Sequence, residues 1–563
     1  MGFKVCVMVM PKIDVSIKDL ESLSGIKLSS REKIEELLEF VKGEVDVIDG
    51  DNLKIDCKDP NRPDFWSVEG VARELKAKTG KQKGIVKYKV QKSNIVLNVD
   101  KNLEKIRPLI VCAVIKDIKI TENLLNQMIQ LQEKLGESFG RKRKELAIGI
   151  YDLDIMKPPI FYKGFKDNEI EFIPLEWKVP MRPSEILIQH DKGKAYKHLL
   201  EGTKLYPIVL DSNNVVASMP PIINSQITGK VTSQTKNLFI EVTGQNFSTI
   251  ETALEVMCMA LADRGGKIYS CTVNYPSNKK PYPAKKIITP LFSTEKIVFS
   301  KKELLAKTGL ELKDKEIIEL LAKARFVPKI SKDKIIAEYS SYRIDILHAV
   351  DVIEDLLISY GFNNIVPQKI EMNLVGSQSE EARYIDFVRE GAIGLGLQEV
   401  QTYNLTSKEI QQKQMLLDEK EEFVEIANYV SLNYQIFRKK MTPQLLSFLS
   451  KNKSQEYPQR IFEIGTVLEL DKSKDSGVNQ RNVLCVAITH SNTNFTEIKS
   501  VLVQIAKYLG KEVSVTKQKF VFLGENSGEI NLGGKKGFIG EVKEDVLKEF
   551  GLKKPVTIFE IEL

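Results

Sequence analysis

Four acidic side chains crowd one short stretch of this chain, between Tyr342 and Tyr360. They are Asp345, Asp351, Glu354 and Asp355. The spacing of apolar residues from Ala349 onward predicts a helix that runs to about Tyr360 and ends at Gly361. At 3.6 residues per turn, the last three acids share one face of that helix, apart from its apolar contact surface. Like charges at this spacing repel each other, so this face needs either water or a cation.

Two interpretations of the acidic face follow from the residues alone. No lysine or arginine follows within the next helical turn, so a hard divalent cation with oxygen ligands, such as magnesium, would neutralise the charge. Asp345 lies just upstream, where an extended lead-in would fold it back over the same face. Because solvated charged helix faces are common, the spacing by itself favours a solvated face over a metal site.

Length and composition indicate several domains. The 563 residues are too many for one hydrophobic core, and we expect three or four domains. The net charge of +7 permits contact with nucleic acid without demanding it. Six scattered cysteines without a C-x-x-C pair suggest neither zinc nor disulfides, so a reducing, cytoplasmic location is expected. No apolar run approaches the ~20 residues of a membrane span, and Met1–Met10 is predicted to be a first strand rather than a signal peptide.

Two segments far apart in the sequence resemble each other. Leu20–Leu38 and Leu304–Leu321 both predict helix, glycine turn, helix, and we interpret them as two copies of one small helical module. In the first copy, Ser29 and Glu32 form a capping box for the second helix. Further on, Asp64 is expected to cap the helix that follows it. The helix-turn-helix shape is typical of DNA-binding proteins, but neither second helix is basic enough to favour groove insertion, so packing between domains is the expected use.

The region between these copies has α+β character. Buried strands are predicted at Leu109–Ile115 and at Leu238–Gly244, and each precedes a helix. We expect Thr121 to cap the first helix and Ser248 to begin a capping box for the second. The basic run over residues 141–144 fits a phosphate backbone and a solvated loop equally well.

Polar side chains interrupt otherwise apolar strands in this region. They are Ser218, Asn224, Glu241 and Thr243. A carboxylate on a strand between apolar neighbours is costly unless it is paired or wet. Glu241 therefore either faces water from an edge strand or belongs to a polar site, and the residues alone leave both possibilities open.

The last two hundred residues predict a sheet with helices. Helices are expected around Ala382–Leu395 and Thr496–Leu509, with strands at Arg460–Leu470 and Val556–Ile561. The glycines 391, 394 and 396 are typical of a helix C-terminus rather than a nucleotide-binding loop, because no strand precedes them.

Three motifs carry a resemblance to one family. They are Arg343-x-Asp345-Ile with the acids that follow it, Pro220-Pro-Ile-Ile-Asn-Ser225 and Phe239-Ile-Glu-Val-Thr-Gly244. They are similar to signatures of the β subunit of phenylalanyl-tRNA synthetase, in its archaeal and eukaryotic form, and the likeness extends over nearly the whole chain. The resemblance implies that the four acids bind Mg²⁺ and that a further pocket hydrolyses tyrosine wrongly esterified to tRNA-Phe. The implied editing-pocket residues are Ser218, Asn224, Glu241 and Thr243, and the family usually has aspartate where this chain has Glu241.

The resemblance also implies an α+β, multidomain fold in four parts. We expect an N-terminal helical or α+β module at 1–95, an editing, tRNA-binding domain at 96–275 and a helix-turn-helix-like module with the magnesium-binding acids at 276–365. The remainder, 366–563, resembles a class II synthetase antiparallel-sheet module that lacks the catalytic motifs and docks an α subunit. In agreement, Arg460 and Glu463 do not have the Arg-x-Glu spacing that class II enzymes use on ATP.

The implied function is that of the non-synthetic editing subunit of phenylalanine–tRNA ligase, an enzyme of protein biosynthesis. The expected assembly is an α2β2 heterotetramer in the cytoplasm, without membrane contact, in which the α subunit handles ATP and phenylalanine. Its expected partners are the α subunit and tRNA-Phe, its cofactor is Mg²⁺, and a positioned water is the expected nucleophile of editing. Two alternatives stay open: a non-catalytic tRNA-binding scaffold whose editing pocket has decayed, and a stand-alone aminoacyl-tRNA deacylase.

Overall fold

The chain is a mixed α/β, multidomain protein, described by a computed structural model that places residues 11–369, 372, 374–418 and 420–563. It divides into two compact units, of which one ends at Gln368 and the other is Lys369–Leu563. The first strand predicted for Met1–Met10 lies outside the described residues. Among the helices of the described ranges, none combines the length and the apolar composition that a membrane crossing requires.

The first unit begins with a small α+β module. Its elements in chain order are β1 (Lys12–Ser16), α1 (Ile17–Ser24), α2 (Arg31–Glu39), β2 (Gly43–Asp49), β3 (Asn52–Cys57) and α3 (Val68–Lys78). The strands form an antiparallel sheet in the order β1-β3-β2. Two predicted caps are wrong by this structure. Ser30, not Ser29, caps α2, and Ser67 caps α3 in place of Asp64, whose carboxylate pairs with Arg62 instead.

The next elements build an eleven-stranded sheet. In chain order they are β4 (Val90–Gln91), β5 (Val96–Val99), β6 (Leu109–Lys116), α4 (Glu122–Lys134), β7 (Leu146–Asp152), β8 (Ile160–Phe165), α5 (Pro183–Gln189), α6 (Asp191–Tyr196), β9 (Tyr206–Leu210), β10 (Val216–Met219), β11 (Ile223–Asn224), β12 (Leu238–Gly244), α7 (Phe247–Asp263), β13 (Lys267–Asn274) and β14 (Lys286–Thr289). The strands run β11-β10-β9-β8-β5-β13-β6-β12-β7, with β4 and β14 also paired to β13. Thr121 caps α4 as predicted, but α7 begins at Phe247 behind an Asn246 cap, so the predicted Ser248 cap is wrong.

The last elements of the first unit repeat the module at its start. They are β15 (Thr294–Ser300), α8 (Lys301–Thr308), α9 (Asp314–Lys323), β16 (Val327–Ser331), β17 (Lys334–Ser340) and α10 (Ala349–Tyr360). The sheet order β15-β17-β16 matches β1-β3-β2, and two helices again follow the first strand. Gly25 and Gly309 form the predicted turns at positive φ, 67° and 69°. Both helix–glycine–helix predictions are confirmed, and each copy also carries three strands that the pattern did not reveal. The predicted bounds of α10 are confirmed too.

The second unit is built around a seven-stranded sheet. Its elements are α11 (Glu380–Gly394), β18 (Gln398–Glu399), β19 (Leu405–Thr406), β20 (Ile436–Phe437), α12 (Thr442–Lys451), β21 (Gln459–Leu470), β22 (Val478–Thr489), α13 (Phe495–Tyr508), β23 (Val513–Lys517), β24 (Leu523–Leu532), β25 (Lys535–Val542), α14 (Glu544–Glu549) and β26 (Val556–Glu562). The sheet order is β18-β21-β22-β26-β25-β24-β23, and β19 pairs with β20. Gly394 ends α11, as predicted from the glycine pattern.

Helices cover both faces of this sheet because its central strands are apolar on both sides. Leu484 and Val486 of β22 share a core with α11 and α13. Cys485 and Ala487, which alternate with them, share a core with α12 and α14. The alternation along β22 therefore places the sheet between two helical layers.

One buried ion pair lies inside this second unit. Arg438 and Glu463 are 1% and 2% exposed, and their Nη1 and Oε1 atoms are 2.7 Å apart. The Thr402 hydroxyl donates to the other carboxylate oxygen at 2.7 Å, and Arg438 Nε donates to the Thr466 carbonyl at 2.8 Å. Gly465 is required beside this pair, because a Cβ there would collide with the guanidinium.

We predict that Arg438→Met strongly destabilises this sheet, because it leaves Glu463 buried without a counter-charge. The expected cost is about 3–5 kcal/mol. Hydrogen exchange of the β21 and β22 amides measures it locally in the full chain. Lys519→Met is the matched control, since Lys519 and Glu525 form an exposed pair that contributes about 0–1 kcal/mol. Equal protection in the two variants would contradict a stabilising role for the buried pair.

Candidate functional site

Glu241 lies in the interior of the eleven-stranded sheet. Strand β12 is hydrogen-bonded to β6 on one side and to β7 on the other, and Glu241 stands opposite Cys112 and Gly149. Glu241 is only 2% exposed to solvent. The interpretation of Glu241 as an edge-strand glutamate facing water is therefore wrong, and the carboxylate needs partners inside the protein.

Among the described residues, the Glu241 carboxylate has a hydrogen-bond partner for one of its two oxygens. The Tyr151 hydroxyl lies 2.9 Å from Glu241 Oε1 and 2.7 Å from the Ser218 hydroxyl. Because a phenol has one proton, Tyr151 donates to the carboxylate and accepts from Ser218. Glu241 Oε2 is buried and accepts no hydrogen bond from any residue of the described ranges. Burial raises the pKa of the Glu241 carboxyl to about 7, although the hydrogen bond from Tyr151 lowers it.

A cavity of about 410 Å³ borders this carboxylate. Three of the four predicted pocket residues line it, namely Ser218, Asn224 and Glu241. The fourth, Thr243, is fully buried on the same strand, but its hydroxyl accepts a hydrogen bond from Arg107 Nε at 3.0 Å instead. The rest of the cavity is lined by both apolar and polar side chains. Its members include Met128, Ile129, Gln132, Glu133, Arg143, Ile148, Ile150, His190, Lys192, Pro220, Pro221, Ile222, Gln226 and Lys230.

Arg143 joins this cavity from the basic run whose use the sequence left open. Residues 141–143 all adopt left-handed backbone, with φ of 48°, 54° and 63°. Such residues cost free energy and cluster at functional sites. Arg143 Nη1 donates to the carbonyls of Pro221 and Ile222, at 3.2 and 2.8 Å. Arg143 is thus held against the cavity, whereas Arg141, Lys142 and Lys144 are exposed.

His190 is a lining residue that sequence reasoning missed. Its Nε2 lies 3.2 Å from the Leu175 carbonyl, and its Nδ1 accepts the N–H of Lys192 at 3.1 Å. Both ring nitrogens are therefore engaged with the backbone, which makes His190 a poor general base in this arrangement. Neither its spacing nor its neighbours in sequence signal a role.

In the acidic stretch, Arg343 neutralises two of the four acids. Its guanidinium donates to both oxygens of Asp345, at 2.8 and 2.6 Å, and to Asp355 Oδ2 at 2.5 Å. Burial by itself would raise the pKa of Asp345. The charge and the hydrogen bond of Arg343, together with the charge of Arg62, outweigh burial and hold this pKa at about 2. Sequence reasoning looked for a counter-charge downstream, whereas Arg343 lies two residues upstream of Asp345.

The other two acids also have partners. Asp351 Oδ2 accepts the N–H groups of Leu347 and His348, at 2.7 and 2.6 Å, so it caps the start of α10. Glu354 is exposed and pairs with Lys42 at 3.1 Å. The three acids predicted to share one face therefore have three different roles. Asp351 caps the helix, Glu354 forms a surface ion pair, and Asp355 is buried against Arg343.

Charges from the N-terminal module extend this network. Arg62 Nε lies 3.9 Å from Asp345, and Arg62 Nη2 lies 3.6 Å from Glu74. Lys78 Nζ donates to the Ser359 hydroxyl at 2.9 Å, and burial lowers the pKa of Lys78. The two ends of the first unit are thus joined by charges that are almost all buried.

The quartet does not fit a magnesium ion in this arrangement. Within the described ranges, no group of three or more aspartate, glutamate, histidine or cysteine side chains is spaced to hold a metal ion. Arg343 occupies the position between Asp345 and Asp355 that a cation would take. Magnesium chemistry at these acids thus stays a prediction from the resemblance.

Comparisons with known proteins agree with the motifs. Residues 297–362 match the family model of the tRNA synthetase B5 domain. Residues 365–563 match that of the phenylalanyl tRNA synthetase beta chain CLM domain.

Relatives cover nearly the full length. The phenylalanine–tRNA ligase beta subunit of Pyrococcus horikoshii is 43% identical over 560 residues, which is 98% of this chain and 99% of that protein. That of Methanosphaera stadtmanae is 35% identical over 98% of this chain and 99% of its own. The crystal structure of an N-terminal fragment of the Pyrococcus horikoshii phenylalanyl-tRNA synthetase beta subunit superposes with a TM-score of 0.59 at 46% identity, over 62% of this chain and all of the fragment. The chain therefore belongs to the family of phenylalanine–tRNA ligase beta subunits, of the archaeal type.

Proposed function

We propose that this chain is the editing subunit of a phenylalanine–tRNA ligase. With an α subunit, in an α2β2 heterotetramer, the assembly would join phenylalanine to tRNA-Phe using ATP in the cytoplasm. The cavity beside Glu241 would hydrolyse tyrosine from mischarged tRNA-Phe. The observation that carries the editing proposal is a buried carboxylate on the wall of a cavity of about 410 Å³, with one oxygen that has no hydrogen-bond partner among the residues the structure describes.

The physical need for a second site comes from the small difference between tyrosine and phenylalanine. An apolar synthetic pocket rejects an added hydroxyl only by ~100-fold. A second pocket that forms a hydrogen bond with the tyrosine hydroxyl instead prefers tyrosine over phenylalanine. Phenylalanine would leave the buried carboxylate oxygen unpaired there, which costs free energy.

In this proposal, Glu241 Oε2 accepts the hydroxyl of the misplaced tyrosine. Ser218 and Asn224 help to hold the aminoacyl end, and Thr243 supports the strand through its bond to Arg107. Lys192 and Lys230 place positive charge at the same cavity, where the phosphates of the tRNA end would lie. Glutamate in place of the family's usual aspartate puts the carboxylate one methylene further into the cavity, and water is the nucleophile.

The proposed division of the chain keeps four parts, at 1–95, 96–275, 276–365 and 366–563. We assign editing and tRNA binding to the second part and docking of the α subunit to the last. The supporting feature is an exposed apolar patch in the second unit, which we call the tyrosine patch. Its members are Tyr403, Tyr429, Val430, Leu432 and Tyr434. The rings of Tyr403 and Tyr434 meet edge to face at 5.8 Å. Exposed aromatic residues in such a group are typical of protein interfaces.

Editing is tested by mixing the α/β complex with tyrosyl-tRNA-Phe. We expect Glu241→Ala to slow hydrolysis by about 10- to 100-fold, because it removes a charged acceptor of the substrate hydroxyl. The exposed Glu201 provides the control variant Glu201→Ala, with unchanged hydrolysis. Hydrolysis by the β chain alone would favour the stand-alone deacylase. No hydrolysis with or without α would favour the scaffold.

For the acidic stretch, we propose that magnesium binds only if Arg343 withdraws from Asp345 and Asp355. The melting temperature of the chain should then be the same in EDTA and in millimolar Mg²⁺. Arg343→Met should melt lower in EDTA and regain part of the loss with Mg²⁺, because Asp345 and Asp355 then lose the guanidinium that pairs with both. Lys267→Met removes only the exposed partner of Asp117 and should show neither effect. A Mg²⁺-dependent rise in the unmodified chain would contradict the proposal.

Docking by the tyrosine patch is tested by association with the α subunit. We expect Tyr403→Ser to weaken the α/β complex by about tenfold or more, since central aromatic anchors dominate interface energies. Val521→Ser, at another exposed apolar residue of the second unit, is the control. Sedimentation of the mixed subunits measures the change, and equal association of both variants would rule the patch out as the docking surface.

A further inference from the structure

Three polar groups form a chain that ends at the cavity. Two of them lie on the paired strands β7 and β12, and the third lies on β10, which is not paired with either strand. The Ser218 hydroxyl of β10 donates to the Tyr151 hydroxyl of β7, and Tyr151 donates to Glu241 Oε1 of β12. All three residues are at most 2% exposed. Tyr151 is therefore held from both sides, and it accounts for one of the two Glu241 oxygens.

A glycine in strand β7, Gly149, makes room for the contact between Tyr151 and Glu241. In the register of β7 and β12, the residue opposite Glu241 is Gly149. Tyr151 lies opposite Phe239, which is two residues before Glu241 on β12. A Cβ at position 149 would collide both with the Tyr151 hydroxyl and with Glu241 Oε1. The glycine thus lets the phenol reach diagonally across the strands to the carboxylate.

We infer that Tyr151 is a positioning and specificity-determining residue, which holds Glu241 so that only Oε2 is left for a phenolic hydroxyl in the cavity. This inference rests on the proposed editing function. A substrate tyrosine would give the carboxylate a second phenol donor on the oxygen that Tyr151 leaves free. A substrate phenylalanine would leave that oxygen desolvated and unpaired. Without Tyr151, either carboxylate oxygen could turn toward the cavity, and the preference for tyrosine would fall.

The same bond sets the pH range in which Glu241 is an acceptor. Burial raises the pKa of Glu241, and the hydrogen bond from Tyr151 and the charge of Arg107 oppose that rise. The pKa of Glu241 without the Tyr151 hydroxyl should therefore be higher, so that the ionised acceptor forms only at higher pH. The titratable or charged groups that face it from neighbouring elements or share its cavity are Arg107, Cys112, Glu133, Arg143, Tyr162, Glu176, His190, Lys192 and Lys230. Tyr151→Phe leaves all of them in place.

The test compares Tyr151→Phe with Tyr275→Phe in the α/β complex. Tyr275 is the matched control, because its buried hydroxyl donates to the Ile110 carbonyl of the same sheet. Hydrolysis of tyrosyl- and phenylalanyl-tRNA-Phe is measured across pH. Tyr151→Phe should lower the preference for tyrosine by about tenfold and move the pH midpoint of tyrosine release upward. Tyr275→Phe should change neither quantity, and equal behaviour of the two variants would overturn the inference.

A second measurement separates this inference from the proposed function. The Glu241 carboxyl is titrated by carbon NMR in the unmodified chain and in Tyr151→Phe, with Glu241→Gln to assign its signal. A midpoint that rises in Tyr151→Phe supports the positioning role, and an unmoved midpoint overturns it. If the unmodified complex releases no tyrosine, the proposed function fails, while the titration still decides the role of Tyr151.

Discussion

A carboxylate buried in a protein must replace the water it has lost, and this requirement organises the chain. Glu241, Glu463 and Asp355 are all at most 9% exposed. Glu463 is satisfied by Arg438 and Asp355 by Arg343, each through a charged hydrogen bond. Glu241 has only a neutral phenol and keeps one oxygen without a partner among the described residues. The difference lies in the partner: Glu463 and Asp355 each pair with an arginine and hold structure together. Glu241 has only a neutral donor, on one oxygen, among the described residues, and retains capacity for a ligand.

A buried carboxylate oxygen without a partner does not by itself identify a ligand site, as Glu251 shows. Its Oε1 accepts the N–H of Leu291 at 2.6 Å, while Oε2 is buried without a partner in the described ranges. Burial raises its pKa to about 8, so the folded state favours the protonated form. Its contribution to stability is therefore full below the ordinary pKa and declines as pH rises toward 8. Glu251 does not line the cavity, and protonation removes its charge. The cavity is what distinguishes Glu241 from Glu251.

Local patterns in the sequence predicted local structure well. The bounds of α10 and both helix–glycine–helix turns follow from periodicity and from the backbone freedom of glycine, which depend on neighbours in sequence. Caps were less predictable because adjacent candidates compete: Ser30 caps α2 rather than Ser29, and Asp64 is drawn away by Arg62.

Long-range pairing explains what the sequence did not reveal about the sites. The place of β12 between β6 and β7, which decides that Glu241 is buried, is not encoded in the alternation of β12 itself. The same holds for Lys42, which meets Glu354 from more than three hundred residues away. Three of the four predicted pocket residues line the cavity, but Tyr151 was not among them because its diagonal reach depends on an opposing glycine.

The acidic stretch gains a structural reason from the repeated module. The eleven-stranded sheet is inserted in sequence between two copies of one βααββ unit. The segment that follows α3 contacts the second copy, because Arg325 Nη1 donates to the carbonyls of Gln82 and Gly84. The charges of Arg62 and Arg343 lie at the same junction. Both ends of the inserted sheet are thus anchored to one pair of modules. Loss of a charge at this junction would therefore loosen the anchoring of both ends of the inserted sheet. A change at the cavity would affect the strands that line it. The acidic stretch thus serves the stability of the fold, whereas Glu241 serves the cavity.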